Sequence, residues 1–420
     1  RRQMQPPETE ADFPNIRHMA IVCAAIDMRS VSRAAAALNI TQPAASQGIA
    51  NLERSLSAPL ILRQTSGIAP TAAGTLFANR AGRALETLHD AARLAQRAAG
   101  AGRDRDDRLS TKFSAAQLRA LIAVGNTGSF TLAAHELGLR QPTVHRAARQ
   151  FEALCAFAVF RSTRGKVELT PAGHILLQAA KLARGELRQA REELAALRGD
   201  GKSTFVLGSM PLARSEIIPR AIDSILALDD GIQVQVIDGR YAELLRGLRE
   251  GDIDCLIGAL RQPAPANDVT EAPLFDDELA VVCRPGHPLT ALARPGWDDT
   301  RAFPWIAPPI ATPAGRFLAD MFGLDGLKPS PVRVVSSSLV LVRGLLTHGD
   351  YLTVISRHQI EGEVGSGVFV QLPIRLKGHI RAIGLTTRRS WRPTAAQAAF
   401  TRCLRAAAPA PADTGTSLTL

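Results

Sequence analysis

Sliding this 420-residue chain along itself by 99 positions lays one long segment over another without a gap. Ser129-Phe130 falls on Ser30-Val31, Gln141-Pro142 on Gln42-Pro43, and Phe151-Glu152 on Leu52-Glu53. Thr170 and Gly173 fall on Thr71 and Gly74. Short apolar patterns match by chance, but a gapless register over a whole domain does not. The period is one small domain, not the short unit of a stacked solenoid. The reading is tandem duplication, and a chain this long leaves room for a further domain.

Each copy carries the same local programme. In the first, Ile16, Met19, Ala20 and Cys23 have helical spacing. Ser30 suits the N-cap of a short helix from Val31 to Leu38. Thr41 caps a third helix whose Pro43 sits in the first turn, where a missing N–H is harmless. Leu60 to Thr71 has the turn content of a two-stranded wing, and a long helix follows Gly74. The second copy repeats this with Leu118, Leu121 and Ile122, then Ser129-Phe130, then Pro142, then a wing from Phe160 to Thr170. Three helices and a wing in this order predict a winged helix-turn-helix, twice.

The long helix after Gly173 carries Leu176, Ala180, Ala183, Leu187, Ala190, Leu194 and Leu197, a heptad seam that suits a partner helix. Shifted back, the seam becomes Phe77, Ala81, Ala84, Leu88, Ala91, Ala95 and Ala98, which offers less apolar area. From Thr204 the pattern changes to short apolar runs alternating with helices, which predicts an α/β domain on a mixed or mainly parallel sheet. Its Pro-rich middle, Arg261 to Pro265, suggests two lobes. The expected organisation is a disordered tail at 1–12, a first winged helix-turn-helix with its long helix at 13–100, and an exposed linker at 101–112. A second winged helix-turn-helix with its long heptad helix follows at 113–199, then the two-lobed α/β domain at 203–408 and a tail at 409–420.

The net charge of +11 favours a polyanionic partner. Five widely spaced cysteines, without a CxxC or Cys/His cluster, argue against a disulfide framework and a zinc site. Reduced, mostly buried thiols in the cytoplasm are the expectation. No apolar run is long enough to span a bilayer, and the N-terminal segment lacks the apolar core of a secretory signal. Neither HExxH, nor G-x-S-x-G, nor a dinucleotide glycine fingerprint occurs, and Gly201-Lys202-Ser203 lacks the upstream glycine of a phosphate loop. An enzyme, a metal site and a cofactor are therefore not expected.

These residues resemble the LysR-type transcriptional regulators of bacteria. The likeness rests on Gly128-Ser129-Phe130, Ala133-Ala134, Leu137, Gln141-Pro142, Phe151-Glu152, Phe160 and Leu169-Thr170-Pro171-Ala172-Gly173. It extends to GDIDCLIG at Gly251 to Gly258 and LAVVCRPGHPL at Leu279 to Leu289. The resemblance implies two all-α winged helix-turn-helix domains with long linker helices, then an α/β two-lobed, periplasmic-binding-protein-like domain. It implies double-stranded DNA and a small effector as partners, and a homo-oligomer assembled through the linker helices. The extra N-terminal copy departs from the usual single head.

A recognition helix reads base edges with its N-terminal part and holds phosphates with cations. The second copy offers Arg140, Gln141, Thr143, His145, Arg146 and Arg149 there, with Arg161, Arg164 and Lys166 on its wing. The first offers Thr41, Gln42, Ser46 and Gln47, but Gly48, Ala50 and Asn51 where cations would help, and only Arg63 on the wing. It reads either as a weakened reader of a different half-site or as a packing partner for the second copy, in which case one chain forms its own pseudo-dimer of heads. For the effector, the resemblance points to Ser209, Pro211, Arg214 and Ser215, to Thr312, and to Ser336, Ser337 and Ser338. Arg214 can pair with a carboxylate, and helix starts favour anions, so an anionic metabolite is expected; the stretch Pro211 to Ser215 resembles that of family members that respond to sugars or aromatic compounds, which implies a sugar or aromatic metabolite as well. Ser215 and Ser338 read equally well as plain helix caps. The alternative function is a small-ligand-binding protein whose heads serve assembly and do not read DNA.

Overall fold

The computed structural model describes residues 13–65, 67–100, 106–163, 165–228, 231–261, 263–323, 330–376 and 380–409. The expected tails at 1–12 and 409–420 lie outside these residues, apart from residue 409. The chain forms two compact units, residues 1–203 with 249–252, and residues 204–248 with 253–420.

The first unit holds both copies. The first comprises α1 (Ile16–Met28), α2 (Val31–Ala37), α3 (Gln42–Leu56), β1 (Ile61–Gln64), β2 (Gly67–Pro70) and α4 (Ala72–Ala98). The second comprises α5 (Ala115–Thr127), α6 (Phe130–Glu136), α7 (Gln141–Cys155), β3 (Phe160–Thr163), β4 (Lys166–Leu169) and α8 (Pro171–Leu197). Every element is displaced from its counterpart by the same 99 positions. The repeated residues explain why. Glu53 accepts the backbone N–H groups of Leu60 and Ile61, and Glu152 those of Val159 and Phe160, so each wing is tied to its third helix. Thr71 and Thr170 cap the long helices through the N–H of Gly74 and Gly173. A Cβ on Gly74 would lie 1.8 Å from the Leu60 carbonyl oxygen, and one on Gly173 2.3 Å from that of Val159. Only glycine lets the helix start pass so close to the wing.

The heptad seams meet each other. Phe77, Ala81, Ala84, Leu88, Ala91 and Ala95 of α4 are buried, as are Leu176, Ala180, Ala183, Leu187, Ala190 and Leu194 of α8, and α4 and α8 pack along their length. The pair is antiparallel, since Arg80 near the start of α4 bonds Glu193 near the end of α8. A seam expected to meet a partner chain is therefore covered from within. The last seam positions, Leu197 and Ala98, are exposed. The polar stretch expected to be an exposed linker is only partly so. Leu109 is buried, within the short 3-10 turn Leu109–Lys112, and Gln96 donates to the Asp106 carbonyl at 3.2 Å. Both heads share one apolar core.

In the second unit, β5 (Ser203–Ser209), α9 (Ile217–Leu228), β6 (Ile232–Asp238), α10 (Tyr241–Glu250) and β7 (Cys255–Ala259) build one lobe. β8 (Val269–Cys283) crosses to the other, made by β9 (Trp305–Ala307), α11 (Pro313–Phe322), β10 (Val332–Val335), α12 (Leu339–His348), β11 (Leu352–Ser356), α13 (Glu361–Gly365) and β12 (Val370–Gln371). β13 (Ile380–Arg388) returns to the first lobe, and α14 (Ala395–Ala406) packs there on α9. The strand order is β10-β9-β11-β8-β13-β7-β5-β6. β5 runs parallel to β7, and β9 is parallel to both β10 and β11, whereas β8 and β13 pair antiparallel, so the sheet is mixed. Separate apolar clusters lie under each lobe.

Candidate nucleic-acid interface and ligand pocket

In the second head, Pro142 opens α7 and Arg140 occupies its N-cap without a side-chain cap bond. Arg140, Gln141, Thr143 and Arg146 are exposed, and their side chains form no hydrogen bond or ion pair within the described residues. Val144, Ala148, Phe151 and Cys155 bury the opposite face of α7. Apolar burial on one side thus leaves the cations on the other. His145 differs from its neighbours: it is half-buried, with its ring edge-on to Phe130 at 4.9 Å, and so packs α7 on α6. Arg149 pairs with Glu152 at 2.6 Å, and Arg161 with Glu168 at 2.8 Å. Both arginines are exposed, and the Arg161–Glu168 pair is open to solvent on both sides, so it adds little stability and opens readily to a phosphate. Lys166 is exposed on β4, and Arg164 lies outside the described residues.

The first head has the same frame with other chemistry. Thr41 caps α3 through the N–H of Ala44, Gln42 is exposed, and Ser46 is half-buried. Gln47, which stands where the second head has Arg146, donates to Asn51 at 2.9 Å. Gly48 corrects the sequence reading. It is buried, and a Cβ there would meet Ile21 at 3.0 Å and His18 at 3.2 Å, so it is a packing position and not a lost cation. Burial holds the His18 imidazole below its ordinary pKa, which keeps it neutral in that contact. Ala50 and Asn51 do face outward or to the rim.

The second unit contains a pocket of about 150 Å³, a size that holds a single small ring. Pro211, Thr312, Ser336 and Ser337 line it as the sequence suggested. Ser209, Arg214, Ser215 and Ser338 do not. Ser209 is fully buried and donates to the Met210 carbonyl, while Arg214 pairs with Asp238 at 3.1 Å. Ser338 caps α12 through the N–H of Leu341. Thr312 caps α11 through Gly315 and donates to the Pro309 carbonyl, so its hydroxyl is held at the rim.

The pocket's charge comes from residues the sequence did not single out. Arg261 lies over the Tyr241 ring at 4.5 Å, and Arg381 projects from β13. Arg381 pairs at 2.8 Å with Asp277, a buried carboxylate on β8 that also accepts the Ser356 hydroxyl. Crossing strands far apart in the chain bring Ser356, Asp277 and Arg381 together, and no local spacing signals that. Arg261, together with Arg381 in its pair with Asp277, lies among apolar side chains and the hydroxyls of Thr312, Ser336 and Ser337, a lining that suits a small anion. Among the described residues no group of acidic, His and Cys side chains could hold a metal ion.

Comparison with known proteins is consistent with this layout. The family profile described as "Bacterial regulatory helix-turn-helix protein, lysR family" matches residues 16–75 and again 115–174. The "LysR substrate binding domain" profile matches residues 198–409. The HTH-type transcriptional regulator GalR of Pseudomonas putida is 32% identical over 399 residues, covering 94% of this chain and 98% of its own. That share is too large to omit either head. The HTH-type transcriptional regulator PcaQ of Agrobacterium fabrum is 24% identical over 291 residues, 69% of this chain and 94% of its own. The solved structure of a full-length OxyR variant from Pseudomonas aeruginosa shares the fold, with a TM-score of 0.50 at 19% identity, over 70% of this chain and 98% of that one.

Proposed function

This chain belongs to the LysR family of bacterial DNA-binding transcriptional regulators, and from that premise we propose that its second head reads the operator while its two-lobed, periplasmic-binding-protein-like domain takes a small anionic effector. One observation carries the first half: Arg140, Gln141, Thr143 and Arg146 crowd the first turns of α7, their side chains exposed and without a hydrogen bond or ion pair within the described residues. Arginine reads guanine and glutamine reads adenine in the major groove, while further cations hold phosphates. Arg149, Arg161, Arg164 and Lys166 are assigned to the backbone, and Thr41, Gln42, Ser46 and Gln47 to the weaker first head. Two arginines in the pocket support the anionic effector, with Thr312, Ser336 and Ser337 as hydroxyl partners. Binding there shifts the balance between arrangements of the lobes. No helix is long and apolar enough to cross a membrane among the described residues, and a chromosomal partner puts the protein in the cytoplasm.

The test is the double variant Arg140→Ala/Arg146→Ala in the full-length chain. A duplex recovered from random-sequence DNA by the wild-type chain is the probe. The variant should lose the preference for that duplex over a scrambled one, since each good base contact discriminates by about 1–3 kcal/mol. Unchanged preference would favour the alternative in which the heads serve assembly.

A further inference from the structure

The first head has cations of its own, in a place where the second has none. β2 docks on the turn between α1 and α2 through the Ile68 N–H, which donates to the Arg29 carbonyl at 3.3 Å. Ile68 is the β-ladder partner of Arg63 on β1. Arg33, in the first turn of α2, folds back to donate to the Met28 carbonyl, beside Arg29. Three exposed arginines therefore surround one junction between wing and turn. No carboxylate lies within ion-pair distance of any of them among the described residues, Asp27 in the preceding turn included. A cluster of like charges without counter-charge repels itself, and apart from the bond of Arg33 to the Met28 carbonyl these side chains form no hydrogen bond among the described residues.

The second head supplies the control. Its wing docks identically, with the Val167 N–H donating to the Gly128 carbonyl at 2.9 Å and Ser162 opposite Val167. The residues that correspond to Arg29, Arg33 and Arg63 are Gly128, Leu132 and Ser162, all uncharged. The positions of Arg146, Arg149 and Lys166 correspond in turn to Gln47, Ala50 and Gly67. The second head thus carries its cations on the recognition helix and wing strands, the first at the junction between wing and turn. The wing is tied at its other end to α3 by Glu53, so the junction flanks the recognition helix.

We propose that the first head is a backbone clamp: Arg29, Arg33 and Arg63 bind phosphates of double-stranded DNA, while the second head reads the bases. This rests on the DNA-binding function proposed above. A clamp adds affinity and salt dependence without adding sequence preference.

The experiment uses the full-length chain and the duplex it selects from random-sequence DNA. Affinity is measured against salt concentration for wild type and for Arg29→Asn/Arg33→Gln/Arg63→Gln, with thermal unfolding of each to establish that the fold is kept. Each lost phosphate contact lowers the slope of log affinity against log salt by about 0.9. The triple variant should therefore lose roughly 2–3 in slope, with the preference for the selected over a scrambled duplex unchanged. An unchanged slope overturns the clamp, as does a loss of sequence preference. If the triple variant unfolds, Arg33→Gln and Arg63→Gln are measured singly, and each must lower the slope by about one contact. A wild-type chain that selects no duplex refutes the DNA-binding assignment itself, an outcome distinct from a failed clamp.

Discussion

Burial pushes the thiols of Cys155 and Cys255 up to about 12, and those of Cys23 and Cys283 up to about 11. All five cysteines are free. The thiolate is the reactive form, so these are packing groups at neutral pH. The sign follows from the raised values. The folded state prefers the neutral thiol, so this contribution to stability is complete below the unfolded thiol range of about 8.5. It is lost as pH rises through the folded values. At pH 8 a thiol reagent should leave Cys155, Cys255 and Cys283 unmodified in the folded protein and label them in denaturant; rapid labelling of Cys155 or Cys255 without unfolding would refute this. Spacing alone had suggested buried, reduced thiols. Other single residues were less legible. Arg149 looked like a free cation, yet it sits beside Glu152, whose acidity the wing requires. Gly48 looked like a missing cation, yet its role is set by Ile21 and His18 on another helix. Arg29 and Arg33 were passed over because a single arginine in a turn carries no motif. Only the wing, folding onto that turn, gathers them with Arg63.

Between elements, the seam of α4 and α8 carries a code that its heptads do not. Arg80 is almost buried and bonds Glu193 at 2.7 Å, Glu186 at 3.2 Å and Gln189. Arg83 joins Glu186 at 2.8 Å. The counterparts of Arg80 and Arg83 in α8 are Ala179 and Leu182, and those of Glu186 and Glu193 in α4 are Thr87 and Leu94. A pair of two α8 helices would thus set Glu186 and Glu193 against apolar side chains, and in a pair of two α4 helices Arg80 would exchange both glutamates for Thr87 and Leu94 and meet Asp90 in place of Gln189. Unmatched carboxylates disfavour the α8 pair, and the α4 pair offers Arg80 one carboxylate in place of two, so the unlike pair is the best matched of the three. Periodicity showed that each helix had a seam but was silent on its partner, because any apolar seam satisfies any other. The charges were visible in the sequence and gained meaning only once the antiparallel register set them face to face. Arg80→Ala should lower the unfolding free energy of the first unit by roughly 3 kcal/mol. Denaturant unfolding measures it, and a loss below about 0.5 kcal/mol, the size of an ordinary surface change, would show that the network does not hold the seam.

At the scale of the molecule, the duplication and the seam together decide whether a head pair needs one chain or two. In the antiparallel pair the end of α4 lies at the start of α8, beside the second head. The chain leaving α4 returns against that same helix, where Gln96 holds the Asp106 carbonyl and Leu109 enters the shared core. So short a connection closes with little loss of entropy and holds the second head at an effective concentration in the millimolar range. A second copy of the chain at micromolar concentration competes poorly for the seam, and the charge code gives it no better fit. The duplication therefore supplies inside one chain the partner that the resemblance to single-headed regulators had placed in a second copy, in line with the pseudo-dimer that the repeated seam also allowed. The effector domain shows the complementary limit: its alternating strands and helices were legible, but Arg381, Asp277 and Ser356 meet only where the long crossing strands pass between lobes. The pairing itself is open to test with residues 1–203, which contain the whole of that shared core. Stability that depends on association rises with protein concentration, whereas intramolecular stability does not. The melting temperature of this fragment should stay constant over about a hundred-fold dilution, with a monomeric mass in sedimentation. A melting temperature that climbs with concentration would mean that the helices pair between chains, and that each half of the duplication seeks its partner elsewhere.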